Sequence, residues 1–139
     1  MPQTPPNLKN LGSSLQKRIL VIEDDKFLRE LIAQKLIKEG YETSEAVDGE
    51  EGIKKIKEEK PDLILLDLIL PKVHGFEVLN KLKEDEETKD IPVIVLTNLE
   101  GIGDVEKAIE LGATTYLVKA NYSLEEVIEK IKKALGEPR

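Results

Sequence analysis

The sequence predicts a doubly wound α/β domain, a five-stranded parallel sheet covered by helices on both faces. From Arg18 onward, short β-branched runs alternate with longer amphipathic stretches, and strict βα alternation with short connections implies right-handed crossovers and parallel strands. Four of the five runs are almost continuously apolar, as burial on both sheet faces requires.

The first run, residues 18–22 (RILVI), leads into a helix with Leu28, Leu31, Ile32 and Leu36 on one face, stopped at Gly40. The second, residues 41–47 (YETSEAV), alternates in polarity and suits a sheet edge. Its helix begins at Asp48, with Glu51 three residues on as in a capping box, and buries Ile53 and Ile56. After the third run, residues 62–66 (DLILL), comes a helix carrying Phe76, Val78, Leu79 and Leu82, and His74 reads as a loop residue beyond the Pro71 turn. The fourth run, residues 91–97 (IPVIVLT), precedes a helix from about Asp104 to Leu111, ended by Gly112. Gly101 and Gly103 lack the strand fingerprint and the lysine of a phosphate loop and loosen the start of that helix instead. The fifth, residues 114–119 (TTYLVK), leads to a helix that starts at Ser123, where Glu126 completes a capping box, with Val127, Ile128, Ile131 and Leu135 inward.

Composition narrows the function. The 139 residues make one domain, with residues 1–16, which hold three of the seven prolines, read as a flexible N-terminal tail and residues 17–139 as the folded unit. Lysine and arginine number 21 against 28 aspartates and glutamates, and the net charge of −7 opposes the phosphate neutralisation that nucleic-acid binding needs. With no cysteine and one histidine, disulfide, thiol and zinc chemistry drop out. No apolar run approaches the roughly 18 residues of a membrane span, and the first residues lack the basic start of a secretory signal. A soluble cytoplasmic protein with no direct nucleic-acid or membrane partner is expected.

In folds of this class, ligands bind beyond the carboxyl ends of the strands. There the chain is polar: Glu23, Asp24 and Asp25 follow the first run, Asp67 the third, and Thr97 and Lys119 end the fourth and fifth. Singly, each has an ordinary reading, since Asp24 or Asp25 can cap the first helix and threonine and lysine are common at strand ends. Asp67 stands apart, because an ionised carboxylate between LILL and LIL is costly without partners. Together, the carboxylates, a hydroxyl and an ammonium at one sheet edge make a consistent site. Crowded carboxylates repel, and a hard divalent cation such as Mg2+ relieves them while taking phosphate as a further ligand. Lysine and threonine then face the anionic group that the metal recruits. A carboxylate can itself be the nucleophile and form an aspartyl phosphate, and Asp67, at the end of the most buried strand, is the candidate.

The segments ILVIEDD (19–25), LILLDLILPKVHG (63–75), VIVLT (93–97) and GATTYLVK (112–119) resemble the receiver domain of bacterial two-component response regulators over roughly residues 18–136. The resemblance implies a flavodoxin-like sheet of order 2-1-3-4-5 with five helices. It implies that Asp67 accepts a phosphoryl group from a sensor histidine kinase or phosphotransfer protein. Asp24 would bind Mg2+ directly and Glu23 through water, with Asp67 and the backbone carbonyl of Ile69 completing the protein ligands, and Asp25 would start the helix. Lys119 would pair with phosphoryl oxygens. Thr97 and Tyr116 would be the switch pair, the hydroxyl moving toward the phosphoryl group and the ring turning inward; by spacing alone, Tyr116 is sheet packing. Output would pass through the surface of helix four, strand five and helix five to a downstream protein or a second copy, as a homodimer. The chain ends at Arg139, soon after the fifth helix, as in a stand-alone or excised receiver.

Several positions depart from the family pattern. Ala120 follows the site lysine where the family generally has proline with a cis peptide, and a cis bond to a non-proline costs roughly 2.5–4 kcal/mol. Asn98 is bulkier than the small residue usual after the switch threonine. By resemblance, Ile69 and Leu99 occupy the positions flanking the acyl phosphate where polar side chains can orient attacking water, and both are apolar here, so slow self-hydrolysis is expected. The sequence leaves two rival readings. A Mg2+-dependent phosphohydrolase of the haloacid dehalogenase type needs a second acid two residues after the nucleophile, where this chain has Ile69. A phosphorylation-independent interaction module would keep the fold without the chemistry.

Overall fold

A computed structural model describes residues 16–136, so all but the last residue of the segment 1–16 lies outside the described residues. Five strands, β1 (Arg18–Ile22), β2 (Glu42–Ala46), β3 (Leu63–Leu66), β4 (Val93–Thr97) and β5 (Thr115–Val118), form one parallel sheet of order β2-β1-β3-β4-β5. Between and after them run α1 (Lys26–Lys38), α2 (Gly49–Glu59), α3 (Gly75–Glu84), α4 (Ile102–Glu110) and α5 (Leu124–Ala134). The expected doubly wound architecture is the one observed.

The apolar strands divide their side chains between two cores. Leu20, Ile22, Ile64, Leu66, Val93 and Val95 pack with Ile56 of α2, Val78, Leu79 and Leu82 of α3, and Ala108 of α4. Their neighbours in sequence, Ile19, Val21, Leu63, Leu65, Ile94 and Leu96, pack on the other face with Ile32 and Leu36 of α1 and Val127, Ile128 and Ile131 of α5. Successive strand residues point to opposite faces, so a sheet covered on both sides needs unbroken apolar runs. β2, whose first four residues are only half buried, is one edge as expected, and β5 is the other.

Helix ends follow local chemistry. Asp25 caps α1 by accepting from Leu28 N–H at 3.2 Å, and Ser123 and Glu126 form the full capping box of α5. At α2 only half of the expected box forms: Asp48 accepts from Glu51 N–H, but the Glu51 carboxylate reaches Val47 N–H, one residue further back. His74, expected in a loop, is the N-cap of α3, its Nδ1 accepting from Phe76 N–H at 3.1 Å. The fourth helix starts at Ile102, capped by Gly101, two residues before the expected Asp104. Gly40 and Gly112 end α1 and α4 with φ of 97° and 106°, a left-handed backbone that other residues adopt with strain.

One expected core position is corrected. Leu31 is exposed, because the buried stripe of α1 runs through Arg29, Ile32, Ala33 and Leu36. An arginine begins the stripe, and Leu31 falls on its flank. Among the described residues, no helix is long and apolar enough to cross a membrane.

Candidate functional site

Strand register assembles the polar edge. Ile22 of β1 stands opposite Leu66 of β3, so the next residues, Glu23 and Asp67, leave the sheet side by side. Thr97 of β4 stands opposite Val118 of β5, which sets Lys119 just beyond the same edge. Lys119 sits in a 3-10 turn (Lys119–Asn121) and its peptide bond to Ala120 is trans, as are all others among the described residues.

The Lys119 ammonium lies 2.9 Å from Glu23 Oε1 and 2.9 Å from Asp67 Oδ2. Both carboxylates are buried, with Asp67 5% exposed. Their remaining oxygens accept backbone N–H groups, Glu23 Oε2 from Asp25 at 3.0 Å and Asp67 Oδ1 from Ile69 at 3.1 Å. Asp24 is exposed at the mouth of the site, and carboxylate oxygens of Glu23, Asp24 and Asp67 all lie within 4.8 Å of one another. Three acids at that spacing form an all-oxygen donor set, which fits a hard cation such as Mg2+. The Ile69 side chain is half exposed at the rim.

Thr97 is fully buried. Its hydroxyl accepts a long bond from Leu99 N–H, 3.5 Å, while its own proton has no acceptor among the described residues. Tyr116 packs its ring against the core beneath the site and donates its hydroxyl to the Leu99 carbonyl at 2.9 Å. Burial, reinforced by the charges of Asp104 and Asp67, raises the Tyr116 phenol above its ordinary range.

Electrostatics of the cluster point one way. Burial raises Glu23 above the usual carboxylate value, the bonds from Lys119 and Asp25 N–H only partly offset it, and the Asp67 charge adds to the rise. Burial pulls Lys119 down, but its bonds to Glu23 and Asp67 outweigh that and hold it above its ordinary value. Both groups favour the protonated form, as expected where carboxylates outnumber cations.

Glu23, Asp24, Asp67 and Lys119 are thus brought together, with Thr97 on the adjoining strand end and Asp25 set aside as a cap. Arg29 is not among the residues to which the sequence points. Its guanidinium reaches back from α1 to the carbonyls of Glu23 and Asp24 and to Glu45 of β2. The available signal is its place one turn after the cap Asp25, in line with Ile32, Ala33 and Leu36.

Residues 19–132 match the family model described as the response regulator receiver domain. The chain belongs to the response regulator receiver family. It is 42% identical over 118 residues to RpaA of Synechocystis, a DNA-binding dual master transcriptional regulator, covering 85% of this chain and 48% of that protein. It is 37% identical over 123 residues to the polar-differentiation response regulator DivK of Brucella anthropi, covering 88% of this chain and 99% of that one. The chain therefore spans about half the length of RpaA and almost all of DivK. A CheY-like receiver domain protein from Methanospirillum hungatei superposes with a TM-score of 0.81 at 31% identity, over 87% of this chain and 94% of that one. The receiver family is a signalling phosphoacceptor and not a conventional enzyme family.

Two outcomes follow from the charge balance of this receiver. Lys119→Met leaves two buried carboxylates without their cation, so urea denaturation in metal-free buffer at pH 7 should show a loss of about 3 kcal/mol, with millimolar Mg2+ restoring much of it. Glu23→Gln should be more stable than wild type in metal-free buffer at neutral pH. The raised Glu23 pKa makes ionisation cost the folded state, so that advantage should shrink as pH falls through the folded value and vanish below the ordinary 4.5. A stability difference independent of pH would contradict it.

Proposed function

We propose that the chain is a phosphoacceptor switch in which Asp67 takes a phosphoryl group from the phosphohistidine of a sensor kinase or phosphotransfer protein. The observation that carries this is the environment of Asp67: a buried carboxylate bound to Lys119, at a strand end, with two further acids beside it. An Asp67 oxygen attacks phosphorus, the P–N bond breaks, and its electron pair stays on the imidazole nitrogen of the donor. Asp24, Asp67 and the Ile69 carbonyl would hold Mg2+ directly, and Glu23 through water. When bound, Mg2+ neutralises charge on the phosphoryl oxygens and on the crowded carboxylates.

The chain's own residues do the rest. Lys119, held by Glu23 as well as Asp67, follows the charge as Asp67 becomes an acyl phosphate and pairs with phosphoryl oxygen. Thr97 has a hydroxyl proton to give and donates it to the same group. Thr97 and Tyr116 form the switch, since both are hydrogen-bonded to Leu99 and a shift of one hydroxyl alters the loop that leads to α4. On α4, Ile102 (77% exposed) and Ile109 (47%) stand two turns apart, which supports the α4–β5–α5 surface as the output face toward a partner protein or a second copy. The net charge of −7 favours output through protein contact over direct nucleic-acid contact.

Acetyl phosphate with Mg2+, followed by intact mass, tests the reading: one added phosphoryl group is expected on wild type and none on Asp67→Asn. No adduct from acetyl phosphate or any phosphohistidine donor would favour an inert interaction module, and turnover of small phosphate esters would favour a phosphohydrolase. The adduct should outlast donor removal by minutes or more, because Ile69 and Leu99 offer no polar group to orient water; loss within seconds in Mg2+ buffer would contradict this.

A further inference from the structure

Arg29 is 8% exposed, on the inward stripe of α1, with its guanidinium turned back to the acidic turn. Nη1 donates to the Glu23 carbonyl at 2.9 Å and, more weakly, to the Asp24 carbonyl at 3.5 Å, while Nε donates to Glu45 Oε1 at 3.0 Å. The two carbonyls belong to the two peptide planes that flank the Asp24 Cα. Holding both planes fixes the backbone dihedrals of Asp24, and with them the direction of its Cα–Cβ bond.

Asp24 needs that restraint more than its neighbours do. The Glu23 carboxylate is fixed by Lys119 and Asp25 N–H, and that of Asp67 by Lys119 and Ile69 N–H. The Asp24 carboxylate has no hydrogen-bond or ion-pair partner among the described residues, yet it lies within the three-acid cluster. Its place there is set by its backbone. We propose that Arg29 is a positioning residue for the divalent-cation site: it aims the Asp24 carboxylate by gripping the flanking peptide planes, and Glu45 on β2 anchors the grip. This rests on the Mg2+ reading given above.

Charge and geometry predict opposite signs. A cation near the cluster repels Mg2+, so removing Arg29 tightens binding if its charge is what matters. Losing the aim of Asp24 weakens binding, as loss of outer-shell partners does at metal sites. Magnesium chloride titrated calorimetrically into the full chain, well below its unfolding temperature, distinguishes them. Arg29→Met should bind Mg2+ roughly tenfold more weakly than wild type, and Arg29→Lys, with the charge but without the planar fork, should also bind more weakly. A metal-free melting curve accompanies each variant, since an arginine that merely stabilises the fold would lower the melting temperature and leave Mg2+ affinity unchanged. Affinity equal to or tighter than wild type in Arg29→Met overturns the proposal, and if that variant does not fold, the same outcome in Arg29→Lys does so. No Mg2+ binding by wild type overturns the metal reading and this inference together, whereas binding by wild type with unaltered variants overturns the inference alone.

Discussion

Two buried carboxylates, those of Glu23 and Asp67, divide a single ammonium between them, at 2.9 Å each from Lys119 Nζ. That sharing leaves surplus negative charge at the strand ends, to which the exposed Asp24 adds. Two unit charges about 4 Å apart interact by about 4 kcal/mol at an effective dielectric constant near 20, a sizeable part of the roughly 5–15 kcal/mol by which domains are stable. The backbone N–H groups of Asp25 and Ile69 offset part of the surplus. A site held in this condition favours whatever brings positive charge, which is the physical basis of the proposed metal binding.

The sheet can carry the strain because no member of the cluster chooses its own position. Glu23, Asp67 and Lys119 are each the first residue beyond a strand whose side chains fill both cores. The loop bearing Asp67 is pressed close to its surroundings at two glycines. A Cβ on Gly75 would lie 2.4 Å from Leu68 Cα and 2.8 Å from the Asp67 carbonyl oxygen, and one on Gly49, at the start of α2, would lie 2.0 Å from the Val73 carbonyl oxygen. Lys72 adds ion pairs from the same loop to Asp48 and Glu50. The Lys72 ammonium is exposed, as is Glu50, while Asp48 is buried, and both contacts are long at 3.7 and 3.6 Å, so the close backbone packing is the stronger restraint.

On the other side of the site, Leu99 is held by its N–H to Thr97 and by its carbonyl to Tyr116. One residue thus joins the end of β4 to β5 in the short loop that leads to α4. Tyr116 is partly buried and packs against the core formed by β1, β3, β4 and α2 to α4. Lys107 of α4 lies over the Phe76 ring at 4.6 Å, and that ring stacks on His74, so α4 is also tied to the start of α3, beside the loop of Asp67. Two sets of contacts thus link the surroundings of Asp67 to α4.

The fold and the polar residues gathered at the sheet edge were legible in the chain because the signals are local. Unbroken apolar runs record burial on both faces, caps such as Asp25 and Ser123 bond within a turn, and polar residues at strand ends mark the edge where Glu23, Asp24, Asp67 and Lys119 meet, with Thr97 at the end of the adjoining strand. What only the tertiary structure decided are pairings between residues far apart along the chain. That Lys119 is shared by Glu23 and Asp67, that Tyr116 grips Leu99, that Arg29 turns inward to Glu23, Asp24 and Glu45 while Leu31 is left exposed: each depends on strand register and helix docking. Local sequence sets which residues must be buried or capped; which partner a buried charge finds is settled by the packing that brings distant segments together.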